Sequence, residues 1–240
     1  MLHALSFVDD PTRVLRAARF ESRYSFAMDS PTEGLARRAV GLDMLGEVSG
    51  TRLREELLGI LEEESPADAL TRLARLDALA LLLPPGSDAD VALAAVTATD
   101  AVLASEQRPC AALRPPGRRT ALLVALSTGA TPAAAERWVR HLHISREQAS
   151  HVLQAALRGP AVATALRSRA VMRDSRLYRL LEPLSPEVLV NLWSLGDITA
   201  RDRIERHCSE LARVRPAVSG ADLIALGASP SPDFSAILAR

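Results

Sequence analysis

The sequence predicts an all-α protein, an irregular multi-helix array with no sheet. Three observations predict it. Helix starts are repeatedly written as a capping residue followed by proline: Asp10-Pro11, Ser30-Pro31, Ser65-Pro66, Thr131-Pro132, Ser185-Pro186 and Ser231-Pro232. Each pairs a side-chain acceptor with a residue whose fixed φ suits the first helical position. Strand signals are missing, with neither alternating β-branched runs nor Asn-Gly hairpin turns. Aromatic residues make up only 3% of the chain, so Leu, Ala and Val fill the core, as suits helix packed on helix.

In order, helices are expected over about 11–25, 31–40, 50–64, 66–82, 88–104, 119–127, 132–142, 146–157, 160–168, 174–182, 186–195, 200–213 and 221–226, with a last one from 232. Asp10 caps the first and Pro11 opens it, with Val14, Leu15 and Ala18 turned inward. Ser30 with Glu33, and Ser65 with Asp68, resemble capping boxes. Leu70, Leu73, Leu76 and Leu79 recur at helical spacing and mark a buried face. Pro84-Pro85-Gly86 is the sharpest break and places an organisational boundary near 85. A second soft stretch, 106–119, contains Arg114-Pro115-Pro116-Gly117. No fixed-period repeat supports a regular solenoid.

Basic and acidic residues balance at 29 each, so overall charge gives no sign of nucleic-acid binding. Every basic residue other than histidine is arginine. GC-rich coding bias accounts for that, although arginine also offers bidentate contacts to phosphate and bases. Cys110 and Cys208 lack metal-ligand spacing and are expected to be buried or incidental thiols rather than a disulfide framework. Met1 to Phe7 lacks the pattern of a signal peptide. The apolar run Leu79 to Leu83 is too short to span a bilayer. A cytoplasmic protein without membrane contact is therefore expected.

The stretch from Leu2 to Phe26 carries the most information. Arg13 follows Asp10 by three residues, and Arg16, Arg19 and Arg23 continue at spacings of three and four, a basic stripe along one helix face. The pair Asp10 and Arg13 admits two readings. In one, Asp10 is a helix cap and Arg13 a solvated or salt-bridged side chain. In the other, a carboxylate acceptor and a guanidinium donor read a base edge together. The amino group of adenine or cytosine donates to the carboxylate, and the neighbouring ring nitrogen accepts from the guanidinium. Guanine and uracil present the reverse pattern and leave both groups unpaired.

Residues Asp9-Asp10-Pro11-Thr12-Arg13, followed by Leu15-Arg16-Ala17-Ala18-Arg19-Phe20, resemble the neck of class II tRNA nucleotidyltransferases and bacterial poly(A) polymerases. That family carries a Glu-Asp-x-x-Arg motif there. Ser49-Gly50-Thr51-Arg52-Leu53-Arg54-Glu55-Glu56-Leu57-Leu58 is similar to a second helix of the family. Leu142 to Ser145, within the run Arg140 to Gln148, resembles its body, and Ser219 to Gly227 resembles its tail. The resemblance implies a neck, body and tail arrangement, with 1–85 a neck-like nucleotide- and RNA-binding unit and 86–240 the body and tail. It implies a nucleotide site of Asp9, Asp10, Arg13 and Arg16, with Asp9 standing where the family has Glu. It also implies RNA contacts by Arg19, Arg23 and Arg52.

In the family the chemistry belongs to an N-terminal head, whose Asp-x-Asp pair binds two metal ions. The chain is expected to lack that head and to be inactive alone. ATP or CTP as substrate, and Mg2+, are expected only with a head supplied upstream or on a separate chain, and no cofactor or metal site is expected here. The expected partner is tRNA or another RNA 3′ end. Asp88-Ala89-Asp90 imitates the catalytic pair but follows a Pro-Pro break and reads as a helix cap. His141 and His143 are two apart and do not share a helix face, and Trp138 and Trp193 read as core residues rather than base-stacking platforms. A helical scaffold descended from the same family, with no part in catalysis, remains the alternative.

Overall fold

A computed structural model describes residues 6–105, 116–214, 220–225 and 227. Among these residues every regular element is helical. The order is α1 (Ser6–Asp9), α2 (Thr12–Tyr24), α3 (Ser30–Gly41), α4 (Gly50–Leu61), α5 (Pro66–Arg75), α6 (Ala89–Ala104), α7 (Arg118–Leu126), α8 (Pro132–His141), α9 (Arg146–Arg167), α10 (Asp174–Leu181), α11 (Pro186–Ser194), α12 (Ile198–Ser209) and α13 (Gly220–Ala225). Two 3-10 turns, Leu79–Leu82 and Leu211–Arg213, follow α5 and α12. No described helix is long and apolar enough to cross a membrane. The last expected helix, from 232, lies outside the described residues.

The cap-and-proline grammar works locally as expected at two starts. Thr131 Oγ1 accepts from Ala134 N at 3.2 Å and Ser185 Oγ from Val188 N at 3.4 Å. Asp88 caps α6 through the amides of Asp90 and Val91, so Asp88-Ala89-Asp90 is a helix start. Two capping boxes are corrected. Asp29, not Ser30, caps α3 by accepting from Thr32 N at 2.8 Å, and Ser65 makes no side-chain cap bond.

Three elements also differ from expectation. The helix expected over 66–82 stops at Arg75. Asp77 takes a left-handed φ of 59°, which no α-helix accommodates, yet Leu70, Leu73, Leu76 and Leu79 all stay buried. The expected pair 146–157 and 160–168 is one helix that runs through Pro160. A mid-helix proline costs about 3 kcal/mol, and burial of Val152, Ala156, Val162 and Leu166 offsets it. The short α1 is absent from the sequence reading, because a single turn is too brief to show periodicity.

The core forms one contiguous apolar cluster running from Phe7 in α1 to Leu211 beyond α12. At its centre α7 buries Ala121 through Leu126 on every side, the mark of a helix enclosed by others. Around it pack α4, α6, α9 and α11. Trp138 is buried and donates its indole N–H to the Leu82 carbonyl at 2.8 Å. Trp193 is only partly buried, under the Arg201 guanidinium at 4.8 Å. Cys208 is buried and disulfide-bonded, which corrects its reading as a thiol. Cys110 lies outside the described residues.

The helix α4 positions the region of interest because it is held at both ends. At its start, a Cβ added to Gly50 would overlap the His141 carbonyl of the α8–α9 turn, and Arg54 Nη1 donates to the His143 carbonyl at 2.6 Å. Two stretches singled out in the sequence, 49–58 and 142–145, therefore pack on each other. At its end, Arg118 of α7 donates to the carbonyls of Leu61 and Glu63 at 3.2 and 3.0 Å, satisfying acceptors that a helix terminus leaves open. Asp100 anchors Arg118 in turn at 2.8 Å.

Candidate functional site

The site forms where the starts of α2 and α4 meet. Asp10 precedes α2, and its two carboxylate oxygens have different surroundings. Oδ1 accepts from the Thr12 amide at 3.2 Å, the Thr12 hydroxyl at 2.7 Å and Arg52 Nη2 at 2.8 Å. The N-cap of α2 is Pro11, with no side-chain cap bond, so Asp10, expected as the cap, instead sits one residue before it and bonds Thr12. Oδ2 has only longer contacts, at 4.0 Å, to Arg13 Nε and Arg16 Nη1. Burial alone would raise the Asp10 carboxyl. The bonds from Thr12 and Arg52, with the Arg52 charge, outweigh burial and hold it below the ordinary carboxylate range.

The structure therefore brings Asp10, Arg13, Arg16 and Arg52 together around one carboxylate. Arg13 is turned back toward α1, where Nη1 donates to the carbonyl and the hydroxyl of Ser6. Asp9, at the end of α1, is exposed. Arg13 and Arg16 each leave 44% of the side chain open to solvent, so an incoming planar group can reach both.

The rest of the basic stripe meets carboxylates that the sequence reading did not single out. Arg16 Nε donates to Glu56 Oε1 at 2.5 Å. Arg19 lies 3.7 Å from Glu56 and 3.6 Å from Glu63. Arg23 makes a bidentate pair with Glu63. Bonding to Glu56 raises the Arg16 pKa further above its usual value, and bonding to Glu63 does the same for Arg23. The Arg19 guanidinium occupies the space that a side chain at position 59 would need, and Gly59 leaves it open. Glu56 and Glu63 are 8% and 7% exposed, so the carboxylates of the ladder are shielded from solvent while Arg16 and Arg23 remain half-exposed.

One sequence signal could have revealed these partners. Arg16 and Arg23 are seven residues apart, and so are Glu56 and Glu63. Seven residues is close to two helical turns, so Arg16 and Arg23 of α2 meet Glu56 of α4 and Glu63 just past its end at one constant offset. A second feature missing from the sequence reading is an exposed aromatic row. The Phe20 and Tyr24 rings lie 6.0 Å apart and the Tyr24 and Phe26 rings 5.7 Å apart, with Arg19 over Phe20 at 5.2 Å.

Among the described residues no three His, Cys, Asp or Glu side chains gather to hold a metal ion. The groups around Asp10 are one carboxylate among guanidinium groups, which suits hydrogen bonding to a base or phosphate and does not fit a divalent cation.

No family profile matches the chain. It is 30% identical to an A-adding tRNA nucleotidyltransferase of Geobacter sulfurreducens over 252 aligned residues, which take in all of this chain and 28% of that protein. It is 32% identical over 196 residues to the multifunctional CCA protein of Laribacter hongkongensis, covering 78% of this chain and 48% of that one. The chain thus spans less than half the length of either relative. In three dimensions it resembles a CCA-adding enzyme solved with ATP, with a TM-score of 0.80 at 24% identity over 98% of this chain and 55% of the other. It also resembles the Thermotoga maritima CCA-adding enzyme complexed with tRNA, with a TM-score of 0.77 at 24% identity over all of this chain and 58% of the other.

Proposed function

From the chain's place in the class II tRNA nucleotidyltransferase family, of which it forms a helical portion, we propose that it selects the incoming nucleotide and holds an RNA 3′ end, in the cytoplasm. Residues 1–85 act as a neck-like unit and 86–240 as body and tail. Nucleotidyl transfer itself needs a catalytic head, which also brings the Mg2+. Among the described residues no carboxylate cluster gathers for that ion, and the reading assigns this chain binding and selection rather than a chemical step.

One observation carries the reading. Asp10 is held rigidly through Oδ1, while Oδ2 faces Arg13 and Arg16 without a close bond. An ionised carboxylate, kept ionised by Thr12 and Arg52, can accept from the amino group of adenine or cytosine. The Arg13 guanidinium beside it, held from α1 by Ser6, can donate to the ring nitrogen, with Arg16 near the phosphates and the exposed Asp9 at the rim of the site. Uracil and guanine would leave both groups unmatched, a penalty of about 1–3 kcal/mol for each.

The test is incorporation of each of the four nucleotides by this chain joined to a catalytic head. Arg13→Ala should lower selection of ATP or CTP by about 1–3 kcal/mol. Asp10→Asn keeps the size and can still accept from Thr12 but turns a donor toward the base, and should relax discrimination against UTP and GTP. Unchanged selectivity in both variants would reduce the pair to a helix start. A second reading, a helical scaffold with no part in catalysis, draws on the pairing of Arg19 and Arg23 with Glu56 and Glu63, which leaves those two arginines little freedom to grip RNA.

A further inference from the structure

Away from the Asp10 site, α7, α9 and α11 pack on one another and enclose a cleft of about 200 Å³. One wall is a single face of α9. Ala155, Ala156, Gly159, Pro160 and Ala163 recur there at spacings of three and four, so they lie together along the helix. None of the five projects a long side chain, and a Cβ added to Gly159 would meet nothing within 4 Å. Val188, Asn191 and Leu192 of α11 form a second wall, and the end of α7 with Thr128 completes the cleft.

Two of these residues are poor helix formers. Glycine gives up more conformational freedom on folding than alanine, and proline lacks an N–H. They sit side by side inside a 22-residue helix, and both line the cleft. Pro160 also leaves the Ala156 carbonyl, four residues earlier, without its usual helical donor. The wall that is cleared of side chains therefore also carries a weakly satisfied acceptor.

The polar anchor of the cleft is Asn191, which is 7% exposed. A chain of hydroxyls fixes which end of its amide is open. Ser194 Oγ donates to the Asn191 backbone carbonyl at 2.9 Å, so in the 3.0 Å bond between Thr99 and Ser194 the donor is Thr99. Thr99 Oγ1 is then left to accept, and it takes a bond from Asn191 Nδ2 at 3.3 Å. Thr128 Oγ1 lies 3.5 Å from the same nitrogen. The other end of the amide, Asn191 Oδ1, receives no hydrogen bond among the described residues. A buried acceptor without a donor is costly, and a ligand entering the cleft can supply one.

Size and polarity narrow the ligand. A dry apolar cavity of about 150 Å³ admits benzene, so this cleft accommodates one or two fused rings. A wall of Ala, Gly and Pro suits a flat ring. The open polar groups, Asn191 Oδ1 and the Ala156 carbonyl, are both acceptors, so the matching molecule carries a donor. Arg167 also lines the cleft, with its guanidinium on the Leu195 carbonyl at 2.9 Å, and disfavours a cation. We propose that the cleft between α7, α9 and α11 is a binding site for an uncharged one- or two-ring aromatic or heteroaromatic molecule, whose N–H or O–H donates to Asn191 Oδ1. The site is separate from Asp10, since α2 rests on α4 and α5, and capture of a small molecule here requires neither nucleotide selection nor RNA binding.

The probe is indole, with benzofuran as a molecule of the same shape that lacks the N–H. Binding to the full chain is followed by titration calorimetry and by the shift in melting temperature, for the wild type, Gly159→Leu and Ala163→Leu. Each leucine places its side chain on the α9 face of the cleft. Replacing a mid-helix glycine also favours the helix, so Gly159→Leu should fold, and melts without ligand check both variants. Indole should bind the wild type and raise its melting temperature. Benzofuran should bind about tenfold more weakly, the worth of one hydrogen bond to a buried acceptor. Both leucine variants should weaken indole binding by about tenfold or more. No indole binding by the wild type up to the solubility limit overturns the site, as does indole binding that both folded variants retain. Benzofuran binding as tight as that of indole overturns the donor to Asn191 and the ligand class with it. Each of these results leaves the nucleotide-selecting role of Asp10 standing.

Discussion

The α2–α4 interface and the α10 surface are built from the same residue type for opposite ends. On α2, arginines at helical spacing lie against Glu56 and Glu63 and tie two helices together. On α10, arginines at similar spacing face solvent, and among the described residues no carboxylate lies opposite them. A basic stripe in a sequence is therefore not yet a basic surface. What decides is whether another helix supplies the matching charge, and for α2 that helix begins about 40 residues later.

The comparison can be pressed hardest at the anchor of α4. Gly50→Ala would drive a Cβ into the His141 carbonyl, a backbone atom that cannot swing aside. Overpacking of this kind costs about 3 kcal/mol and should shift α4 along with the ladder it carries. Chemical denaturation of the variant gives the number. A loss under about 1 kcal/mol would mean that the α8–α9 turn yields, and that α4 is less firmly fixed than its contacts indicate.

Next in size is the contrast between the two arginine sets. Glu63→Gln removes the charge that faces Arg19 and Arg23 in a largely buried setting, and should destabilise the fold by about 2 kcal/mol. Arg176→Gln on α10 should change stability by less than about 0.5 kcal/mol, because nothing in the fold depends on its charge. Equal losses in the two variants would erase the distinction drawn between the regions.

The smallest effect concerns pH on the α10 side. His207 is buried against the Tyr178 ring, with Nδ1 lacking a hydrogen bond. Burial pushes its pKa below the ordinary histidine value, and the Glu182 charge only partly counters that. A depressed folded-state pKa leaves stability intact above about pH 6.5 and removes it as the pH falls, since the unfolded chain takes up the proton first. Melting temperature should therefore drop between pH 7.5 and 5, and His207→Leu should flatten that drop. An unchanged slope in the variant would place the titrating group elsewhere.

Much of this fold can be read from local pattern. Leu70, Leu73, Leu76 and Leu79 announce a buried face, and they are buried. Thr131 and Ser185 announce helix starts and cap them. The break at Asp77 and the continuity of α9 through Pro160 could not be read this way. The first depends on one residue in a left-handed conformation, the second on tertiary burial outweighing a local preference. For the site, the grouping of Asp10 and Arg13 follows from their spacing. The contributions of Ser6, Arg52, Glu56 and Glu63 depend on how α1 and α4 pack against α2, and spacing within one helix carries no record of that.

The double anchoring of α4 fixes the helix in phase as well as in place. One residue inserted between Gly50 and Glu56 would turn everything beyond it by about 100°. Gly50 would stay on the α8–α9 turn, but Glu56, Glu63 and the carbonyls held by Arg118 would swing away from their partners together. No compensating point substitution could restore them all, because the error is one of rotation and the partners are spread over two elements, α2 and α7. In related chains the length of this helix should thus be a stricter signature than the identity of most residues within it. A gap placed there in an alignment would mark a different arrangement of the arginines, however similar the flanking sequence.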